Sequence, residues 1–208
     1  YLGDTARVPY GTKSPATVTQ YALEAAEFLC QQGIKLLVVA CNTASAVALP
    51  QLREAFKVPV IGVLEPGAHA AVSSGGIRIG VVGTEGTISS GSYGQALLKL
   101  APDTAVFSAA CPLFVPLAEE GWSDHSVAHQ VAGEYLAPLL AEKIDTLVLG
   151  CTHYPLLLKS IRTVVGPEVT LIDSAAATAL EVVALLECAG LAAVDGSGGQ
   201  RFFVTDVP

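Results

Sequence analysis

Apolar residues recur along the chain in two periods. Short apolar blocks at 35–40, 58–63, 77–82, 104–110, 146–149, 169–173 and 201–205 read as strands. Between them, segments with apolar residues three and four apart read as helices, at 14–33, 43–56, 68–73, 90–100, 127–141 and 175–189. The first helix is the clearest. Ser14 offers an N-cap, Pro15 suits the first helical position, Val18, Tyr21, Ala22, Ala25 and Leu29 share one face, and Gly33 stops it. Residues 1–13 read as a loop with a tight turn at Pro9-Tyr10-Gly11, Glu65-Pro66-Gly67 as a change of direction, and 196–199 as a glycine-rich loop. Helix alternating with strand predicts an α/β fold with mainly parallel sheet.

Two of the strands end alike. Leu36-Leu37-Val38-Val39-Ala40 runs into Cys41-Asn42-Thr43, and Leu147-Val148-Leu149-Gly150 runs into Cys151-Thr152-His153. The offset is 151 − 41 = 110, and at that offset Gln20, Ala22, Glu24, Leu29, Ile34, Leu37, Val38 and Cys41 each meet an identical residue. A repeated helix, strand and thiol predicts two related α/β domains facing each other across a cleft.

Ligands of open parallel sheets bind outside the carboxyl ends of the strands, where both cysteines fall. Each precedes a segment read as helical, whose free N–H groups are expected to lower the thiol pKa below about 8.5. A thiolate on one face of a carbon and a thiol on the other are what inversion requires: one removes a proton, the other returns one from the opposite side. Asn42, Thr43 and Thr152 are candidate donors to the negative charge that develops, and His153 is placed to assist Cys151.

Composition narrows the classes. A chain of 208 residues with 51% apolar and 14% charged residues can bury a full core. No apolar run is long enough for a membrane span, and the opening Tyr1-Leu2-Gly3-Asp4 is not an export signal, so a cytoplasmic protein is expected. The net charge of -8 argues against nucleic acid or an anionic membrane as main partner. Five cysteines form an odd set without a CxxC pair, which favours free thiols; Cys30, Cys111 and Cys188 read as packing residues. No short Cys/His spacing suggests zinc, and no motif lysine suggests a pyridoxal Schiff base, so neither metal nor cofactor is expected.

Four motifs now stand in order: Gly3-Asp4-Thr5-Ala6-Arg7-Val8-Pro9-Tyr10-Gly11-Thr12-Lys13-Ser14, Ala40-Cys41-Asn42-Thr43-Ala44-Ser45, Cys111-Pro112-Leu113-Phe114-Val115-Pro116-Leu117, and Gly150-Cys151-Thr152-His153-Tyr154-Pro155-Leu156-Leu157. The chain resembles the glutamate racemase family of the aspartate/glutamate racemase superfamily over essentially its whole length. The resemblance implies two flavodoxin-like three-layer domains related by pseudo-two-fold symmetry, with residues 1–64 and 173–208 forming a discontinuous first domain and 65–172 the second. It implies cofactor-independent glutamate racemisation with Cys41 and Cys151 as acid/bases and His153 and Glu119 assisting the second thiol. Pro9, Tyr10, Gly11, Asn42, Thr43, Thr152 and His153 would hold the substrate. A homodimer supplying D-glutamate to peptidoglycan synthesis is implied as well. The residues themselves leave open aspartate, hydantoin or maleate as substrate, or a non-catalytic ligand-binding role. The family pattern opens with a strand ending in Phe-Asp-Ser-Gly, which does not precede Tyr1. The expectation is therefore a weakly active or unstable 208-residue chain, with the half-reaction at Cys41 the more impaired.

Overall fold

The N-terminal stretch is more ordered than a loop. In the computed structural model, which describes residues 1–194, 196 and 198–207, it forms β1 (Leu2–Gly3) and single 3-10 turns at Thr5–Arg7 and Tyr10–Thr12. Positions 195 and 197 of the expected first domain and glycine-rich loop, and position 208, lie outside the described residues. β1 pairs in parallel with β8 (Phe203–Val204), a partner about 200 positions away that the local pattern of residues 1–13 cannot reveal.

The next elements are α1 (Pro15–Gln31), β2 (Leu37–Val39), α2 (Asn42–Ala55) and β3 (Val60–Gly62). Ser14 Oγ accepts from the Thr17 N–H at 3.3 Å, and Val18, Ala22 and Ala26 are the buried face of α1. β2 pairs in parallel with β3, Leu37 opposite Val60. β2 is not buried throughout: Val38 is 39% exposed, because β3 is the only strand paired with it among the described residues. Pro50 lies inside α2 and cannot donate to the Ala46 carbonyl, which instead accepts from Ser92 Oγ at 3.1 Å.

Then follow α3 (Leu64–Ser73), β4 (Arg78–Gly83), α4 (Glu85–Ser89), α5 (Ser92–Leu100), β5 (Ala105–Ala110), α6 (Phe114–Glu119), α7 (Ser126–Ala141), β6 (Thr146–Gly150), a 3-10 turn at Tyr154–Leu157, α8 (Leu158–Val165), β7 (Thr170–Asp173) and α9 (Ser174–Cys188). Glu65-Pro66-Gly67 is not a change of direction; it lies in the first turn of α3, where proline's missing N–H has no partner to lose. The short helices α4, α6 and α8 escape a reading by period, since one or two turns cannot display one.

β5, β4, β6 and β7 form a parallel sheet in that order. β6 is buried throughout, flanked on both edges, unlike its counterpart β2. One core on this sheet centres on Phe114 and Tyr154, whose rings meet edge to face at 5.1 Å, and the Tyr154 hydroxyl donates to the Cys111 carbonyl at 2.9 Å. Cys111 is fully buried there, as its packing role requires. The architecture is α/β with parallel sheets, and α1, β2 and Cys41 are repeated at the 110-residue offset by α7, β6 and Cys151.

Candidate active site

β4 is the first strand of its sheet in sequence; β5 lies on one side of it and β6 on the other, so the connections diverge between β4 and β6. A crevice opens at the carboxyl ends of strands at such a switch point. Gly83 and Gly150 are register partners, so Thr84 and Cys151 follow them at the mouth of that crevice. Cys151 is 7% exposed. His153 Nδ1 is 3.8 Å from its sulfur, and His153 Nε2 is 2.5 Å from Glu119 Oε1 at the end of α6. Cys151, His153 and Glu119 thus form a chain from the buried thiol to an exposed carboxylate, with Thr152 exposed beside it.

The two thiols are not capped alike. The Ser45 N–H closes the first bond of α2 on the Cys41 carbonyl at 2.8 Å, and the Ala44 N–H meets the Cys41 sulfur at 3.5 Å. The equivalent of Ser45 is Pro155, since 45 + 110 = 155, and proline has no N–H to give. The Tyr154 N–H bonds the Cys151 carbonyl at 3.2 Å instead, a 3-10 turn forms, and α8 starts only at Leu158. Cys151 therefore does not directly precede an α-helix, contrary to expectation.

The expected depression of the thiol pKa values is also overturned. Burial pushes Cys151 up to about 12; the His153 and Tyr154 N–H groups and Thr152 oppose that, and the charge of Cys41 adds to it. Cys41 is raised too, by burial first, against the Ala44 and Thr43 N–H groups and the Thr43 hydroxyl. Desolvation outweighs two backbone donors and a threonine hydroxyl at each sulfur because the thiolate is the charged form. The Thr43 hydroxyl, two residues after Cys41, meets that of Thr84, which follows the register partner of Gly150, so both sulfurs stand at one site.

The wall carrying Cys41 brings several expected residues together. Asn42 is 2% exposed; its Oδ1 accepts from the Tyr93 hydroxyl at 2.7 Å, while its Nδ2 is buried without a partner among the described residues. The Thr43 hydroxyl meets those of Thr84 at 2.9 Å and Thr87 at 3.2 Å, and these two are 3.0 Å apart, a buried triad joining α2 to α4. Gly11 is required by its closeness to Thr84: a Cβ there would stand 2.4 Å from the Thr84 Cβ. The Tyr10 hydroxyl donates to Asp4, a carboxylate that burial would raise but that hydrogen bonds from Arg7, Tyr10 and Thr205 hold below its ordinary value. Burial and that bond raise the Tyr10 pKa, with a smaller contribution from Cys41. Pro9 is exposed and only flanks this wall, its carbonyl accepting from Lys13 Nζ at 3.3 Å.

Residues 1–182 match the family model described as Asp/Glu/Hydantoin racemase. The chain belongs to this racemase family. A glutamate racemase from Geobacter metallireducens is 56% identical, covering 100% of this chain and 78% of its own length. The structure of glutamate racemase isoform RacE1 from Bacillus anthracis superposes with a TM-score of 0.96 at 45% identity, over 100% of this chain and 78% of that one. A Francisella tularensis glutamate racemase, solved in complex with D-glutamate, gives a TM-score of 0.94 at 38% identity with the same coverage. The two-domain racemase fold is thereby shown for this chain.

Within this racemase fold, reading by motif missed Thr84, Thr87, Tyr93 and Asp4. The signal for the threonines was present in Thr84-Glu85-Gly86-Thr87 directly after a strand, but only the sheet order puts that turn beside Cys151 and Thr43. Two surface clefts of about 450 and 460 Å³, one by Phe28 and Phe203 and one by Arg53 and Leu185, contain neither Cys41 nor Cys151. No group of three His, Cys, Asp or Glu side chains able to hold a metal occurs among the described residues.

Proposed function

We propose that this chain interconverts L- and D-glutamate without a cofactor, Cys41 and Cys151 serving in turn as base and acid on opposite sides of the α-carbon. The observation that carries the reading is the pairing of two thiols from repeated units at the carboxyl ends of their strands, joined through the Thr43–Thr84 contact beside the end of β6. One sulfur, as thiolate, takes the α-proton; the electron pair spreads into the adjacent carboxylate; the other sulfur delivers its proton to the opposite face. The reverse direction exchanges the roles.

Raised thiol pKa values suit this chemistry. A thiolate that protonates near pH 12 is a stronger base toward a weakly acidic C–H than an ordinary cysteine, and the ammonium group of a bound amino acid lowers the cost of forming it. His153, backed by Glu119, accepts or returns the Cys151 proton. The unpartnered Asn42 Nδ2 supports a carboxylate ligand, with Thr43, Thr152, Tyr10 and Gly11 around it and Pro9 shaping the turn. Residues 1–64 with 173–208 act as one domain and 65–172 as the other, a division supported by the separation of the β2–β3 and β1–β8 pairs from the four-stranded sheet. The reading also implies a cytoplasmic homodimer that feeds D-glutamate to peptidoglycan synthesis.

The test is deuterium incorporation at the α-carbon of glutamate in heavy water. Exchange by the unmutated chain that drops at least about 100-fold in Cys41→Ser and in Cys151→Ser supports the reading. No exchange sinks it, and faster exchange on aspartate reassigns the substrate.

A further inference from the structure

Tyr93 stands where five elements meet. It lies in the first turn of α5 and is 2% exposed, and its hydroxyl reaches Asn42, the first residue of α2. Its ring is pressed between two glycines. A Cβ on Gly150, the last residue of β6, would be 3.1 Å from the ring, and one on Gly67 of α3 would be 3.1 Å from the hydroxyl oxygen. The same Gly67 position would be 3.1 Å from the Ser174 Cβ at the start of α9, and the Ser174 hydroxyl flanks the phenol. One residue earlier, Ser92 Oγ takes the Ala46 carbonyl that Pro50 leaves free. The start of α5 is thus tied to the first turns of α2 at two points four residues apart.

A primary amide can present either its oxygen or its nitrogen to a ligand. At Asn42 the choice follows from its neighbours. The Ser174 side chain flanks the phenol, and the Tyr93 hydroxyl donates its proton to Oδ1 at 2.7 Å. Nδ2 is then the group left over, buried and without a partner among the described residues. A buried donor kept in that state costs free energy unless something arrives to accept from it.

We propose that Tyr93 is a positioning residue: it fixes the polarity of the Asn42 amide so that Nδ2 is presented to a ligand carboxylate, and it ties that amide to the strand end that carries Cys151. The choice of a carboxylate rests on the glutamate reading above. A carboxylate accepts from Nδ2, whereas an ammonium there would place donor against donor.

The experiment compares Tyr93→Phe, Asn42→Ala and the double variant with the unmutated chain. In the ligand-free protein, the nitrogen-15 resonance of the Asn42 side-chain amide is expected to shift and broaden in Tyr93→Phe as the amide loses its orientation. By calorimetry, Tyr93→Phe should raise the glutamate Kd about tenfold with Asn42 present and leave it unchanged once residue 42 is alanine. An Asn42 resonance unmoved by Tyr93→Phe, or an equal rise in Kd in both backgrounds, overturns the proposal. An unmutated chain that binds no glutamate refutes the substrate reading instead, and the resonance still decides the role of Tyr93. Should Tyr93→Phe fail to fold, Ser174→Ala, which removes the side-chain hydroxyl beside the phenol and lets the ring shift, is expected to move the same resonance, and no change there counts against the proposal.

Discussion

Cys151 illustrates how one residue's chemistry is decided by burial rather than by motif. A free thiol near pH 8.5 is partly ionised at neutral pH, but one at about 12 is almost wholly protonated. Alkylation of Cys151 by iodoacetamide in the ligand-free chain is therefore expected to be slow at pH 7 and to rise about tenfold per pH unit up to pH 10, followed by mass spectrometry of the modified peptide. A rate that levels off near pH 8.5 would show an ordinary thiol. On the proposed reading His153 and Glu119 assist Cys151, so Glu119→Gln is expected to slow interconversion about tenfold from either enantiomer and to enlarge the α-deuterium isotope effect in the direction that uses Cys151 as base. An isotope effect unchanged in that direction would count against that assignment. Cys41 and Cys151 were legible from their strand ends; Thr84 and Thr87 were not, because their hydroxyls matter only through Thr43, some 40 positions away.

At the level of elements, the two halves diverge at a single bond. Ser45 donates to the Cys41 carbonyl and starts α2 at once, whereas Pro155 cannot, and the chain after Cys151 makes a 3-10 turn before α8. The repeat was readable; that it ends in different local structure follows from one missing N–H. Close approach of elements sets the other constraint. A Cβ on Gly150 would stand 2.7 Å from the Val82 carbonyl on β4 and 3.1 Å from the Tyr93 ring. Gly150→Ala must spread β6 from β4 or displace Tyr93, and a loss of about 1–3 kcal/mol in urea denaturation is expected. An unchanged midpoint would mean the site yields more easily than its packing indicates.

For the whole molecule, the raised thiols link stability to pH. Cys111 and Cys151 both sit at about 12 because burial disfavours their thiolates. Unfolded, each releases its proton from about pH 8.5 upward. The folded state then holds more protons, so their contribution is fully present below pH 8.5 and falls as pH rises toward 12, by at most about 1.4 kcal/mol per pH unit for each thiol. Denaturant midpoints should decline from pH 8.5 to 10, and Cys111→Ala should make that decline shallower. A slope the same in both proteins would remove Cys111 from the account.

Helix and strand order, the parallel sheet, the 110-residue repeat and the paired thiols were determined by sequence, because periods of apolar residues and chain order are local properties. Tertiary structure decided the rest. It left Val38 exposed while burying all of β6, carried Thr84 to the switch point beside Cys151, gave Asn42 an unpartnered Nδ2, and raised two thiols that their N–H neighbours alone would have lowered. Each of these depends on how much water and which distant groups surround a side chain, and folding alone sets that environment.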